Sequence, residues 1–177
     1  MPSPIGHALA AAAAGWAVDR PRPSVRRTLL LVAVGLAPDL DLLFGTHSTY
    51  THSVGAIAVV TVVAWFVTRD VRLTAAIAAA WASHLLLDWL GSDSRDPIGI
   101  MALWPFSTEH YQSELYVFDA ISRRYWMPEQ FVWGNLKAAL REVAILLPVL
   151  GGAYWVNTTI TKDPNDRKDS WDEEKVP

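Results

Sequence analysis

Seven residues have side chains and spacings suited to holding divalent metal ions: His7, Asp39, Asp41, His47, His52, His84 and Asp88. His84 and Asp88 are four residues apart, so on a helix they stand one above the other on a single face. Such a pair can hold one metal, or use the carboxylate to bridge two. Asp39 and Asp41 follow Pro38, where irregular backbone lets both carboxylates turn toward a common centre. Imidazole with carboxylate suits Zn²⁺, Mn²⁺ or Fe²⁺ better than Ca²⁺, which favours oxygen alone. Three ionised carboxylates against two such cations leave a net charge of about +1, which can hold an anionic substrate and an activated water. Singly, each residue has a plainer reading. His7 is then a solvent-facing side chain, Asp39 or Asp41 a turn residue, and His84–Asp88 a hydrogen-bonded pair.

The elements that must position these groups are apolar helices. Ser3 and Pro4 form a helix start, with Ser as N-cap and Pro at the first helical position, and the helix runs from Ile5 to Val18. Further runs cover Thr28–Ala37, Val54–Thr68 and Leu73–Leu90, the last closed by Gly91 as a C-cap. A final helix is expected from Asn135 to about Thr159, bent at Pro148 and Gly151-Gly152. No segment shows strand alternation, so the fold class is all-α. In an up-down bundle, His7 lies at the start of the first helix and the second helix delivers Asp39 and Asp41 to that same end. The third helix departs from it after His47 and His52, and the fourth returns with His84 and Asp88. Alternating helix direction therefore gathers four of the five histidines at one end.

With 177 residues the chain predicts one domain, and with no cysteine it excludes disulfides, thiolate zinc sites and cysteine nucleophiles. A net charge of −3 argues against a nucleic-acid partner. The mean hydropathy of +0.18 is high for a soluble enzyme and low for a many-span transporter. The expected organisation is a single membrane-embedded helical domain over 1–160. It comprises a four-helix core (1–91), an interfacial aromatic-rich segment (92–134) and the last helix (135–160), followed by a charged, disordered tail (161–177).

Each apolar run is at or just below the roughly 17–25 residues that cross a bilayer, so a buried soluble bundle competes with a membrane bundle. The charges decide for the membrane. Arg20, Arg22, Arg26 and Arg27 join the first two helices, Arg69 and Arg72 join the third and fourth, and both connections fall at one end. Tyr50, Trp89, Trp104, Tyr111, Tyr116, Trp126 and Trp133 gather toward the other. Basic loops mark the cytoplasmic side and aromatics the interface, which puts the metal groups on the non-cytoplasmic side of an inner or plasma membrane. The positive charges follow the first apolar run instead of preceding it, so an uncleaved segment is expected rather than a signal peptide.

Gly6-His7, Pro38-Asp39-Leu40-Asp41, Thr51-His52-Ser53 and His84-Leu85-Leu86-Leu87-Asp88, in that order over the first 90 or so residues, resemble the YdjM-like family of membrane-bound metal-dependent hydrolases. The resemblance implies a multi-span membrane protein with metal-dependent hydrolase activity. Members often read His-Arg-Gly-x-Thr-His-Ser where this chain has His47-Ser48-Thr49-Tyr50-Thr51-His52-Ser53. The guanidinium that could clamp a phosphate is therefore absent at position 48. A looser likeness of chemistry, not of fold, links the set to all-helical zinc phospholipase C and P1-type nucleases.

The expected reaction is hydrolysis of an ester or phosphoester, in a lipid or another small membrane-associated substrate. The cofactor would be one or two divalent cations, Zn²⁺ first and Mn²⁺ or Fe²⁺ next, lowering the pKa of bound water to about 7. His7, Asp39, His52, His84 and Asp88 are the core ligands, Asp41 and His47 further ligands or their supports, and Asp41 or Asp39 the proton acceptor. The alternatives are a non-enzymatic membrane protein with a structural, sensing or transport metal site, and a soluble helical metallohydrolase. Elsewhere, Glu109, His110 and Glu114 could add ligands or be loop charges. Trp104-Pro105-Phe106 and Tyr125-Trp126-Met127-Pro128 could line an acyl entrance or rest on lipid. Asp93, Arg95 and Asp96 read as a solvated turn, and Asp119 with Arg123 as an i,i+4 pair.

Overall fold

The computed structural model describes residues 1–19, 24–44, 47–93 and 96–160. Arg20, Arg22, Arg95 and the charged tail lie outside the described residues. The described residues form five α-helices: α1 (Pro4–Val18), α2 (Val25–Leu36), α3 (Val54–Thr68), α4 (Val71–Leu90) and α5 (Asn135–Ile160). Tight 3₁₀ turns occupy Ala37–Phe44 and Tyr50–His52, and a wide π-helical turn, Glu129–Gly134, leads into α5. Among the described residues there is no β-strand, only isolated backbone bridges, so the chain is all-α.

The helices begin where side-chain oxygens meet free amides. Ser3 accepts from Gly6 N, Ser24 from Arg27 N, Ser53 from Ala56 N, and Asp70 from Arg72 N and Leu73 N. Each such cap stabilises its helix by about 1 kcal/mol. A carboxylate from another helix reinforces the first start. Glu142 of α5, fully buried, accepts from Ser3 N at 2.7 Å, from Gly6 N at 3.1 Å and from the Ser3 hydroxyl. The positive end of the α1 dipole suits that charge.

Helices α1 and α4 form the centre: α1 packs on α2, α4 and α5, and α4 on α1, α2 and α3. Small residues make the seam. Ala11, Ala64, Ala76 and Ala80 are buried together with Leu31 and Ile77. A Cβ at Gly35 would lie 2.2 Å from Ala11 Cβ, and one at Gly15 2.5 Å from a Leu31 methyl. In lipid, apolar side chains gain little by leaving their surroundings, so close backbone approach of this kind is what holds helices together. The outer faces are correspondingly greasy: Val63, Phe66 and Val67 of α3 and Leu140, Leu147 and Trp155 of α5 are exposed. Two helices, α4 and the continuous stretch Glu129–Thr159, are long and apolar enough to cross a membrane, while α1 and α3 are apolar but shorter. At the end away from His7, Arg27 grips Asp19 through both carboxylate oxygens, and Asn157 of α5 donates to Trp16 O at 2.8 Å.

Gly91 is the C-cap of α4, as expected, with φ −83°. It is needed for space, because a Cβ there would meet Pro2 Cδ at 2.9 Å. Asp119 pairs not with Arg123 but with Arg141 of α5, at 2.8 Å, because residues 118–124 form no helix to bring i and i+4 together. Residues 96–128 are irregular and fold back as a cap over the His7 end. Their carbonyls at Ala102 and Trp104 accept the first amides of α3, both at 2.9 Å, while Ile100 and Tyr111 exchange backbone bonds at 2.8 and 3.0 Å. With Ile100, Met101 and Phe118 buried, these backbone partners replace the helices that the segment would otherwise need.

Gly35→Ala tests the seam. Forcing a methyl against Ala11 should cost about 1–3 kcal/mol and lower the unfolding midpoint of the detergent-solubilised protein. An unchanged midpoint would mean that α1 and α2 are not held at this distance.

Candidate metal centre

Four parts of the chain supply the site, each for a local reason. His7 sits in the first turns of α1, held by the Ser3–Glu142 cap. Asp39 and Asp41 sit in the 3₁₀ turn that continues α2; at 120° per residue their side chains diverge by a third of a turn and can flank one ring. His52 ends the second 3₁₀ turn, which α4 steadies through a bond from Trp81 Nε1 to Thr51 O at 3.0 Å. His84 and Asp88 lie on one face of α4 near its end. His7, His52, His84 and Asp88 are almost wholly buried, whereas the side chains of Asp39 and His47 are 27% and 22% exposed.

All seven residues come together. Around the centre, His52 Nε2 and His84 Nε2 are 3.1 Å apart. Asp88 Oδ2 lies 3.3 Å from the first and 3.1 Å from the second. Asp39 Oδ1 lies 3.7 and 3.6 Å from the same two nitrogens. On the far side of Asp88, His7 Nε2 is 3.4 Å from Oδ1, and the His7 ring stacks on His84 with centroids 3.8 Å apart. Behind His52, Asp41 Oδ2 meets His52 Nδ1 at 3.1 Å and the Thr51 hydroxyl at 2.9 Å, while Asp41 Oδ1 meets His47 Nδ1 at 2.9 Å. Two groups could hold a metal ion, His7–His84–Asp88 and Asp39–His47–His52, and they touch through His52, His84 and Asp39.

The hydrogen bonds fix which nitrogens are bare. His84 Nδ1 is 2.7 Å from Gly35 O; a carbonyl only accepts, so Nδ1 carries the proton and Nε2 of the neutral ring presents its lone pair. His52 Nδ1 donates to Asp41, which likewise turns its Nε2 inward. The two Nε2 atoms, 3.1 Å apart, can share a proton, and a metal cation can take that proton's place. Neither oxygen of the buried Asp88 has an aligned hydrogen-bond donor, a costly state for a carboxylate. Zinc held by nitrogen and oxygen at about 2.0–2.1 Å in a tetrahedron spaces its ligands by roughly 3.3 Å. The separations of 3.1 to 3.7 Å among His52, His84, Asp88 and Asp39 fit such an ion.

The electrostatics agree. Burial alone would raise the Asp39 carboxyl, but the imidazoles of His52, His84 and His7 around it hold it below its ordinary value. Asp41 is also held low; burial is opposed there by His47, His52 and Thr51. Burial disfavours the His52 cation, yet the surrounding carboxylates of Asp39, Asp41 and Asp88 raise it well above the usual histidine range. Carboxylates that attract a proton to this place attract a metal cation to it as well.

Glu109, His110 and Glu114 belong to neither group. Three participants were not singled out from sequence: Thr51, the Gly35 carbonyl and Glu142. Thr51 stood in the Thr-His-Ser motif, and Glu142 was a lone acid at the edge of an apolar run. The Gly35 carbonyl carried no sequence signal. Beside His47 opens a cavity of about 760 Å³, lined also by Ser48, Thr49, Arg123, Arg124 and Gln130.

Compared with known proteins, residues 1–162 match a family model described as YdjM inner membrane protein. No curated protein and no solved structure matches.

Metal binding here should depend on pH in a stated direction. Below the raised titration of His52, a metal must displace its proton, so affinity climbs about tenfold per pH unit for each proton released. Calorimetric titration of Zn²⁺ should show the climb continuing above about pH 6.5, where an ordinary histidine has levelled off. A plateau from that pH upward would mean that His52 holds no extra proton.

Proposed function

The chain belongs to the YdjM inner membrane protein family, and from that premise we propose that it is a membrane-bound, metal-dependent hydrolase of an ester or phosphoester in a lipid or other membrane-associated substrate. The observation that carries this reading is the pair of imidazole nitrogens, His52 Nε2 and His84 Nε2, 3.1 Å apart beside the buried Asp88 carboxylate, whose oxygens have no hydrogen-bond partner. His52, His84 and Asp88 would hold one divalent cation, with Asp39 beside it at the fourth position, where water can enter. His7 with the second oxygen of Asp88, and His47 on the other flank, offer positions for another. Zinc suits the donor set best, with Mn²⁺ or Fe²⁺ next. A bound cation of this kind supplies Lewis acidity toward water and toward the scissile group.

The remaining work falls to the chain. Both oxygens of Asp41 are engaged by His47, His52 and Thr51, so Asp41 orients the rings and keeps their inner nitrogens bare, as a carboxylate behind a ligating histidine does. Asp39 is the carboxylate with access to water and takes the proton of the attacking water. The cap of residues 96–128 covers the buried side, leaving approach from the cavity beside His47. A structural or transport site would be served by a closed ligand set; the partly exposed Asp39 favours catalysis instead. Arg26, Arg27, Arg69 and Arg72 sit at the opposite end of the helices, which orients the site to the non-cytoplasmic side.

Metal analysis of detergent-purified His84→Ala and Asp88→Asn should show loss of the metal, and hydrolysis of a chromogenic phosphodiester or a short-chain phospholipid should fall with it. Asp41→Asn should bind metal about 10–100-fold more weakly without losing it. Full metal content in both His84→Ala and Asp88→Asn would remove the site assignment. A metal-loaded wild type that turns over no ester would move the protein to a structural, sensing or transport role.

A further inference from the structure

The cavity beside His47 is lined by Met1, by Leu42 with residues 47–49, by Asp93, Asp96 and Pro97, by residues 120–124 and by Gln130. Its lining carries two guanidinium groups, Arg123 and Arg124, and two acids, Asp93 and Asp96.

The two arginines are uncommitted. Asp119, the acid nearest to them in sequence, is taken by Arg141 at 2.8 Å. Among the described residues no carboxylate comes within ion-pair distance of either guanidinium. The other cation lining the cavity, the Met1 ammonium, is already committed to Ser92 O at 2.6 Å. Two adjacent arginines without acid partners, on the wall of a cavity, are the side chains that bind phosphate oxygens in forked pairs. His47 lines the same cavity while its Nδ1 lies 2.9 Å from Asp41 and 4.0 Å from Asp39. The cavity that holds the arginines thus reaches the edge of the metal centre through His47. Directly after the arginines, Tyr125, Trp126, Phe131 and Trp133 are exposed, the aromatic setting of a lipid headgroup region.

We propose that Arg123 and Arg124 bind the phosphate group of an anionic ester substrate in the cavity beside His47. The word substrate rests on the hydrolase reading; the binding of phosphate does not.

The test uses the full-length protein in detergent, as wild type, Arg123→Gln/Arg124→Gln and Arg123→Lys/Arg124→Lys. Each is titrated with inorganic phosphate and with a short-chain phosphatidic acid below its micellar concentration, in metal-loaded and in EDTA-treated samples. Metal content is measured alongside. The glutamine pair should weaken both ligands roughly tenfold or more while metal content stays at the wild-type level. The lysine pair should retain part of the affinity. Tighter binding of phosphatidic acid than of phosphate identifies a lipid source, and equal binding a soluble phosphate ester; either supports the anion site. Equal affinities in wild type and the glutamine pair would overturn it, as would equal binding of a diacylglycerol with the same chains. His84→Ala separates the two readings. Loss of metal with phosphate still bound at the arginines keeps this site, whereas a wild type that loads metal yet hydrolyses nothing fails only the hydrolase.

Discussion

A carboxylate buried at the end of an apolar helix constrains everything near it. Asp88 cannot be left alone there, because an uncompensated charge in such surroundings costs several kcal/mol. Its partners come from three directions: His7 on α1, His84 one turn back on α4, and His52 from the turn before α3. To bring them within about 3 Å the helices must approach closely, and this is the use of the alanines and glycines along the α1–α2–α4 seam. Gly35 serves both needs, since it lets α2 touch Ala11 and its carbonyl fixes the His84 ring.

Most of that arrangement was legible in the chain. Side-chain type and helix direction together placed His7, Asp39, Asp41, His47, His52, His84 and Asp88 at one end, and the structure brings the same seven together. Expected helix limits fell within about three residues of those observed, because Ser3, Ser53 and Pro38 act through local chemistry that sequence displays. Which nitrogen of His52 each of Asp39 and Asp41 meets was not legible. Two acids two residues apart look alike until the 3₁₀ turn sends one to the inner nitrogen of His52 and the other to the outer.

What sequence hid was chiefly long-range. Asp119 looked paired with Arg123 under the assumption of a helix, but its partner is Arg141 on α5. Gly91 caps α4 as its sequence position suggests, while the room it leaves for Pro2 carried no local signal. The cap of residues 96–128 has no periodicity to read, since its order comes from backbone bonds to α3 and α4.

Glu142 joins α5 to the first turn of α1, the turn that carries His7. An apolar helix longer or shorter than the surrounding hydrocarbon thickness responds by tilting. A carboxylate clasp between α5 and the turn that bears His7 acts as a strut, so a tilt of α5 would be carried to one wall of the His/Asp cluster. Where α5 crosses a bilayer, the thickness of that bilayer would then bear on the position of His7.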